Sequence, residues 1–327
     1  MSAKVAIVIP YFQRKPGILS KAVRSVLAQE GGVDWQLIIV DDASPVPART
    51  ELEQLLPGNE ARIRIVEQPN GGPAAARNKG LDNVPPGTEY VAFIDSDDEW
   101  IPQHLMRAVA ALDEGYDFYF ADLYQLDQTV SGFRRAGRIT PEEHRSLQAG
   151  EGLHAYEGDM FDQILSGNII GTSTVAYRFA KFPEQRFRQE FVYAGEDYLF
   201  WLELSRRTQR FAFSEWVECT YGPGVNVFAG SGWGTENALI RAHYEIKYKK
   251  TLPRLFELNA AQMEANRASV WTLRRSFIAE LLHRAAHRRS LKWNVLKKQL
   301  RTDPQTFMYA MPLALMIVLK RGMRKAR

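Results

Sequence analysis

The stretch AFIDSDDEW (residues 92–100) decides the fold, because an apolar run ends there in three carboxylates, Asp95, Asp97 and Asp98. Carboxylates this close repel one another, so the pattern indicates a positively charged ligand. In an open parallel α/β sheet, ligands bind at the carboxyl ends of the strands. Asp95 and Asp97 are two positions apart, which places both side chains on one face of an extended strand and suits a divalent cation completed by phosphate oxygens. The alternative is a solvated acidic turn that caps the next helix.

Around this stretch, apolar strand patterns alternate with helical patterns over the first 125 residues. Continuous apolar strands separated by helices predict an α/β fold, with a mostly parallel, Rossmann-like sheet covered on both faces. The predicted strands are KVAIVIP (4–10), WQLIIVDD (35–42), RIRIVEQ (62–68), EYVAFIDSDD (89–98) and YDFYFADLYQL (116–126).

Composition limits the classes of protein that the chain can be. Of its 327 residues, 45% are hydrophobic and 24% are charged, as in a folded globular protein. The single cysteine, Cys219, excludes an internal disulfide framework and a multi-cysteine metal site, and fits a reducing cytoplasm. The chain opens on a strand pattern rather than a secretory signal, and no apolar run is long enough to span a bilayer.

Three further segments carry polar residues where a ligand would meet the sheet. In IIVDDAS (38–44), Asp41 and Asp42 can accept hydrogen bonds from a base or a ribose, or can simply form a turn. NGGPAAARNKG (70–80) combines a glycine-rich turn with a helix start, which favours anions. It is neither a Walker loop nor a dinucleotide fingerprint, which argues against an ATPase and a dehydrogenase.

The segment YAGEDYLFWLEL (193–204) places Glu196 and Asp197 at the start of an apolar helix. Acidic residues there stabilise the helix dipole. A carboxylate in a pocket can instead act as a general base. Spacing alone leaves both interpretations open.

In this order, the motifs VIPYFQR, VDDAS, NGGPAAARNKG, FIDSDD and GEDYLFW resemble those of the family 2 glycosyltransferases, over residues 1–220. The resemblance implies a GT-A fold and inverting transfer from a nucleotide sugar. Asp95 and Asp97 match the Asp-x-Asp motif that holds Mg²⁺ or Mn²⁺, and Asp197 matches the catalytic base, with Glu196 beside it. The residues expected to bind the nucleotide sugar are Pro10, Tyr11, Asp41 or Asp42, Asn70, Arg77, Asp95 and Ser96, with Asp41 favoured for the base.

The C-terminal part has a different character. Residues 281–327 hold twelve Lys and Arg against one acid, a charge of +11, while the remainder carries −7. We expect a catalytic domain over 1–235 and a helical region over 236–327 whose basic amphipathic tail lies in a membrane interface. The alternative is a helix packed on the catalytic domain. The glycine-rich segment 222–234 is expected to close over the donor, with Trp233 on a sugar ring, and the alternative is an ordinary surface loop. His243 is expected at the surface rather than as a metal ligand.

Together these features predict a cytoplasmic enzyme held at the inner face of the cytoplasmic membrane. It would move a sugar, from a UDP-sugar by family frequency, to a hydroxyl of a glycan. A polyprenyl-diphosphate-linked oligosaccharide of bacterial surface polysaccharide synthesis would fit as acceptor. The alternatives are a non-catalytic nucleotide-sugar binder or scaffold and a nucleotidyltransferase. The sequence contains no recognised nucleic-acid-binding module, so no nucleic acid partner is expected.

Overall fold

The computed structural model describes residues 4–126, 128–167, 169–225 and 232–312. These residues form two compact units. The first comprises residues 4–192 and 196–225, and the second comprises residues 193–195 and 232–312. The assignment of catalysis to 1–235 and of membrane attachment to 236–327 stays a prediction.

The first unit is built on one sheet, and its N-terminal half is parallel. The strands lie in the order β3–β2–β1–β4, and every neighbouring pair is parallel. All residues of β1 and β4 are buried, as the continuous apolar runs predict for a sheet covered on both faces. The bounds are β1 (Val5–Tyr11), β2 (Trp35–Asp41), β3 (Ile63–Glu67) and β4 (Tyr90–Phe93).

The other half of the sheet is mixed. Strand β8 lies antiparallel between β4 and β6, whereas β9 runs parallel to β6 and pairs antiparallel with β5 and β7. The α/β fold class is confirmed. The parallel arrangement expected from the sequence holds for the four neighbouring strands β3, β2, β1 and β4. The bounds are β5 (Glu99–Trp100), β6 (Phe118–Tyr124), β7 (Leu153–Ala155), β8 (Ala176–Tyr177) and β9 (Phe211–Thr220).

The fourth strand is shorter than the sequence predicts, so the three carboxylates lie beyond its end and not within it. Strand β4 ends at Phe93, and the amide of Asp98 donates to the carbonyl of Asp95 at 3.1 Å. This hydrogen bond closes a turn, so the expectation that Asp95 and Asp97 share a face of an extended strand is wrong. The carboxylates lie in a tight turn at the carboxyl end of β4.

Helices flank this sheet. Helix α3 packs closely on β1, because a Cβ at Gly80 would lie 2.3 Å from Cγ1 of Val8. Only glycine therefore fits at this contact. The helices of the first unit are α1 (Leu19–Leu27), α2 (Ala48–Glu51), α3 (Pro73–Leu81), α4 (His104–Asp113), α5 (Gly132–Ala136), α6 (Met160–Ser166) and α7 (Glu196–Ser205).

The second unit is helical. Its apolar core joins α8, α9 and α10 through residues such as Ile246, Phe277 and Val295. His243 is buried rather than exposed, and its Nδ1 lies 2.7 Å from Oε1 of Gln299. The surface position expected for His243 is therefore wrong, because α10 covers this face of α8. The bounds are α8 (Ala238–Leu255), α9 (Ala260–Ala286), α10 (Trp293–Thr302) and α11 (Gln305–Met308).

A buried ion cluster fixes the end of this unit. The carboxylate of Asp303 accepts hydrogen bonds from Arg274 at 2.7 and 2.6 Å and from Lys250 at 2.8 Å. Burial opposes the charge on Asp303, but these donors and Thr306 outweigh it and lower the pKa of Asp303 to about 2. Among the described helices, none has the length and apolarity needed to cross a bilayer. Residues 313–327 of the predicted membrane-associating tail lie outside the described residues.

Candidate active site

The three carboxylates of the turn after β4 have separate partners. Asp95 accepts a hydrogen bond from Nη2 of Arg77 at 2.7 Å. Asp97 accepts from the amide of Gly224 at 3.0 Å. Asp98 is buried, where it accepts from the hydroxyl of Ser173 and from the amide of Gly222 at 3.1 Å. Asp98 therefore holds the turn in place, while Asp95 and Asp97 remain partly accessible.

The turn carries more negative charge than its surroundings compensate. Burial and the charge of Asp95 raise the pKa of Asp97 to about 6. Burial and the charges of Asp95 and Asp97 raise the pKa of Asp98. A cation bound between Asp95 and Asp97 would relieve this repulsion.

The donor set fits a hard divalent cation whose remaining ligands come from a substrate. Within the described ranges, no group of three or more His, Cys, Asp or Glu side chains could hold a metal alone. Mg²⁺ is commonly held by one or two carboxylates together with substrate phosphates and water. Asp95 and Asp97 supply oxygen ligands of this kind, so these residues fit Mg²⁺ or Mn²⁺ bound together with a diphosphate.

Two glycines bring the chain after β9 directly against this turn. A Cβ at Gly222 would lie 1.7 Å from the carbonyl oxygen of Asp97, and one at Gly224 would lie 2.4 Å from its carboxylate. Glycine is required here for close approach. Of the predicted closing segment, residues 226–231 lie outside the described residues. Trp233 belongs to the second unit, is 52% exposed and has its ring 5.6 Å from that of His283.

The end of β1 contributes a buried residue that the sequence reasoning missed. Pro10 and Tyr11 are the last residues of β1, and both are buried. Gln13 follows them, and its side-chain amide donates to Oγ of Ser96 at 3.1 Å. Its Oε1 accepts from the amide of Val225 at 3.0 Å. Gln13 thus joins β1 to the carboxylate turn and to the segment after β9. A polar residue shortly after a buried strand was the available signal.

The two carboxylates at the end of β2 organise the neighbouring loops. Asp42 is buried and accepts the backbone amides of the two glycines that follow Asn70, each at 2.8 Å. The side chain of Asn70 donates to the carbonyl of Asp42 at 3.0 Å. Asp41 accepts the amides of Ser44 and Ala48, each at 2.8 Å. Both carboxylates therefore have a structural role, whatever they contribute to binding.

Arg77 connects the two acidic parts of the site. It lies on α3, and its side chain is only 5% exposed. Besides the bond to Asp95, its Nη1 lies 3.6 Å from Oε1 of Glu196. Burial opposes the charge of Arg77, but Asp95 and Glu196 outweigh it and raise its pKa. Its Nε and Nη1 make no hydrogen bond to any described residue, so their N–H groups can donate to a bound ligand.

Glu196 and Asp197 form the first turn of α7. Burial and the charge of Asp197 raise the pKa of Glu196 to about 8. Burial also raises the pKa of Asp197, against the opposing effect of Arg77. Burial thus disfavours a full negative charge on both carboxylates of this pair at once, while Arg77 favours the charged form. Such a pair can hold one carboxylate ready to accept a proton.

Comparison with known proteins identifies the family to which this site belongs. The family model described as Glycosyl transferase family 2 matches residues 6–178. The succinoglycan biosynthesis protein ExoW of Rhizobium meliloti is 31% identical over 314 residues, covering 95% of this chain and 98% of ExoW. The chain belongs to glycosyltransferase family 2. This family 2 member is therefore an enzyme, a glycosyltransferase.

One further relative and one solved structure are also similar to this family 2 chain. A Campylobacter jejuni protein named GalNAc(5)-diNAcBac-PP-undecaprenol beta-1,3-glucosyltransferase is 25% identical over 203 residues, 62% of this chain and 59% of that protein. The structure of Staphylococcus aureus TarS 1–349 in complex with UDP-GlcNAc matches with a TM-score of 0.56 and 19% identity. It covers 85% of this chain and 79% of TarS 1–349. At this identity, the likeness to TarS shows the GT-A fold alone.

Proposed function

We propose that this family 2 glycosyltransferase moves a sugar from a UDP-sugar to a glycan hydroxyl, with inversion at the anomeric carbon. One observation carries the proposal: buried Arg77 contacts both Asp95 of the carboxylate turn and Glu196 beside Asp197. Arg77 thus joins the carboxylate turn, proposed to bind the diphosphate, to the first turn of α7, which carries the proposed base Asp197. In a single displacement, proton acceptance and stabilisation of the leaving group act on opposite sides of one reacting carbon.

The donor would bind along the carboxyl ends of β1, β2 and β4. Its diphosphate faces Asp95, Ser96 and Asp97, and the spare N–H groups of Arg77 support contact with an incoming oxygen. The base and ribose contact Pro10, Tyr11, Asn70 and one of the two aspartates after β2, with Asp41 favoured for the base. The named ligand of TarS 1–349 supports a UDP-sugar.

In the reaction, the attacking hydroxyl passes its proton to the carboxylate of Asp197. The new C1–O bond forms as the bond between C1 and the diphosphate oxygen breaks, and UDP leaves with the bonding electrons. Burial and the charge of Asp197 favour the neutral form of Glu196, which limits the negative charge beside the base. A divalent cation held by Asp95 and Asp97 would neutralise charge on the diphosphate.

The acceptor would be a lipid-linked oligosaccharide of bacterial surface polysaccharide synthesis, at the inner face of the cytoplasmic membrane. The names of ExoW and of the Campylobacter enzyme support this acceptor class. Attachment would use the basic C-terminal end, which suits anionic lipid. A flotation test should delete 313–327 and not residues from 303 onward, because losing buried Asp303 would disrupt the second unit. Binding that survives removal of 313–327 would contradict attachment through this end.

The activity is tested by incubating the full chain with UDP-sugars and Mn²⁺ and measuring UDP release and UDP binding. We expect Asp97→Asn to weaken UDP binding and Asp197→Asn to abolish transfer while UDP still binds. Asp82→Asn removes an exposed carboxylate paired with Arg186 and is the matched control. UDP binding without transfer by the unaltered chain to lipid-linked acceptors would favour the non-catalytic alternative. Pyrophosphate release from a nucleoside triphosphate would favour the nucleotidyltransferase.

A further inference from the structure

The first unit contains a cavity whose lining residues are separate from the candidate active-site residues described above. Its volume is about 430 Å³, and it lies beside β6 and β9. Its walls carry two aromatic side chains, Tyr124 and Trp216, and two arginines, Arg107 and Arg134, and the carboxylates of Asp122 and Glu215 complete the charged lining. Neither the mechanism above nor the family motifs use any of them.

The cavity presents aromatic faces next to cationic donors. Trp216 is 44% exposed and Tyr124 is 37% exposed. Arg134 is exposed on α5 and makes no ion pair within the described part of the chain. Aromatic rings with a polar edge offer a flat apolar surface, and guanidinium groups offer several N–H donors. A pyranose ring has the matching chemistry, with an apolar C–H face and a rim of hydroxyl acceptors.

The part of the cavity wall formed by Arg107 and Trp216 is held in place from behind. Arg107 donates to Oε1 of Glu218 at 3.2 Å and lies 5.8 Å from the ring centroid of Trp216. Glu218 is fully buried and also accepts from Tyr119 at 2.8 Å. The indole lies so close to Gly152 that a Cβ there would be 1.9 Å from its Nε1. Rigid aromatic and guanidinium groups lose little entropy when a ligand binds.

The cavity shares a segment of chain with the candidate active site. The carbonyl of Tyr124 accepts from the amide of Tyr221 at 2.9 Å. The next residue, Gly222, donates to Asp98 and contacts the backbone of Asp97. The backbone of the cavity wall at Tyr124 is therefore two hydrogen-bonded steps from the carboxylate turn, through the chain segment after β9.

We infer that this cavity is a subsite for an internal pyranose of the acceptor glycan, which stacks on Trp216 and hydrogen-bonds to Arg134. The inference rests on the proposed function, because it assumes that the acceptor is a glycan. It adds a binding site and names the residues that distinguish oligosaccharide from monosaccharide acceptors.

The test labels the full chain with 5-fluorotryptophan and follows the fluorine resonance of Trp216, which Trp216→Phe identifies. The probes are cellotetraose, laminaritetraose and tetragalacturonate, with glucose and glycerol as controls. We expect at least one tetrasaccharide to shift the Trp216 resonance saturably at millimolar concentration, and both controls to leave it unchanged. The acidic and neutral probes show whether the bound sugar carries a carboxylate.

Two neighbouring arginines provide the matched control. Arg134 lines the cavity and Arg135 does not, although both are exposed on α5. We expect Arg134→Ala to weaken the tetrasaccharide at least about fivefold and Arg135→Ala to leave its affinity unchanged. Equal weakening by the two variants, or no shift with any tetrasaccharide, would overturn the subsite.

UDP titration with Mn²⁺ on the same samples separates this inference from the proposed function. A chain that binds UDP but shows no response at Trp216 loses only the subsite. A chain that responds at Trp216 but does not bind UDP keeps the subsite and loses the proposed donor.

Discussion

Replacing Gly222 by alanine tests the position of the carboxylate turn. The added Cβ would lie 1.7 Å from the carbonyl oxygen of Asp97, and real Cβ contacts below 3.0 Å are essentially never seen. The two backbones must therefore separate by at least about 1.3 Å. A displacement of about 1 Å in a reacting group can cost roughly 10²-fold in rate. We expect kcat/KM to fall about 10²-fold, or about 2.7 kcal/mol of transition-state stabilisation.

The assay is UDP release with Mn²⁺ and a UDP-sugar, together with calorimetric UDP binding. Gly150→Ala is the matched control, because only side-chain atoms of Leu153, the nearest at 3.3 Å, lie near the added Cβ. This variant should retain the activity of the unaltered enzyme. Thermal unfolding of both variants shows whether a loss of rate reflects loss of the fold.

A graded comparison makes the reasoning easy to refute. At Gly224, the added Cβ meets the carboxylate of Asp97 rather than its backbone. A side chain yields more readily than backbone, so Gly224→Ala should cost less than Gly222→Ala. A folded Gly222→Ala variant with unaltered UDP binding and turnover would refute the proposed role of Asp97.

Three further outcomes are expected. Asp197→Asn should lower kcat by about 10²–10⁴-fold with the Kd of UDP unchanged, and calorimetry that shows lost UDP binding would contradict its role as base. The folded state favours the protonated form of Glu196. The stability that this contributes is complete below the unfolded pKa of 4.5 and is lost as the pH rises through the folded pKa of about 8. Glu196→Gln should therefore gain Tm over the unaltered chain at pH 9 and not at pH 4. Asp303→Asn should lower the free energy of unfolding at pH 7 by about 3 kcal/mol, measured by urea unfolding. The charged Asp303 contributes this stability above its unfolded pKa of 3.8, and the contribution is lost as the pH falls through the folded pKa of about 2. An unchanged urea midpoint would contradict the prediction.

Apolar runs predicted β1, β2 and β4, because strands buried on both faces leave a continuous signal, whereas period-two alternation predicted the edge strand β3. The sequence also placed Asp95 and Asp97 at a strand end. It did not predict the end of β4 at Phe93, since Ile94 continues the apolar run into the turn. Tertiary contacts with Ser173 and Gly222 fix that turn, and they come from positions 75 and 124 residues away from Asp98.

Side-chain contacts between distant segments were the hardest to predict. His243 is buried by Gln299, which lies 56 residues further along the chain. Gln13 and Arg77 take their positions from partners that local periodicity does not reveal. The cavity beside β6 and β9 depends on a β-bulge near Asp122 that brings Trp216 into place, and no motif marks it.

The position of Arg77 has a consequence for protein engineering. Chimaeras that exchange acceptor preference would join the N-terminal half of one transferase to the C-terminal half of another, between α3 and α7. Such a crossover separates Arg77 from Glu196, which lies 3.6 Å from it in this chain. A hybrid whose incoming half lacks an acid at that place leaves the buried guanidinium with Asp95 as its one remaining ion-pair partner among the described residues. Successful recombination should therefore transplant α3 together with the acceptor half.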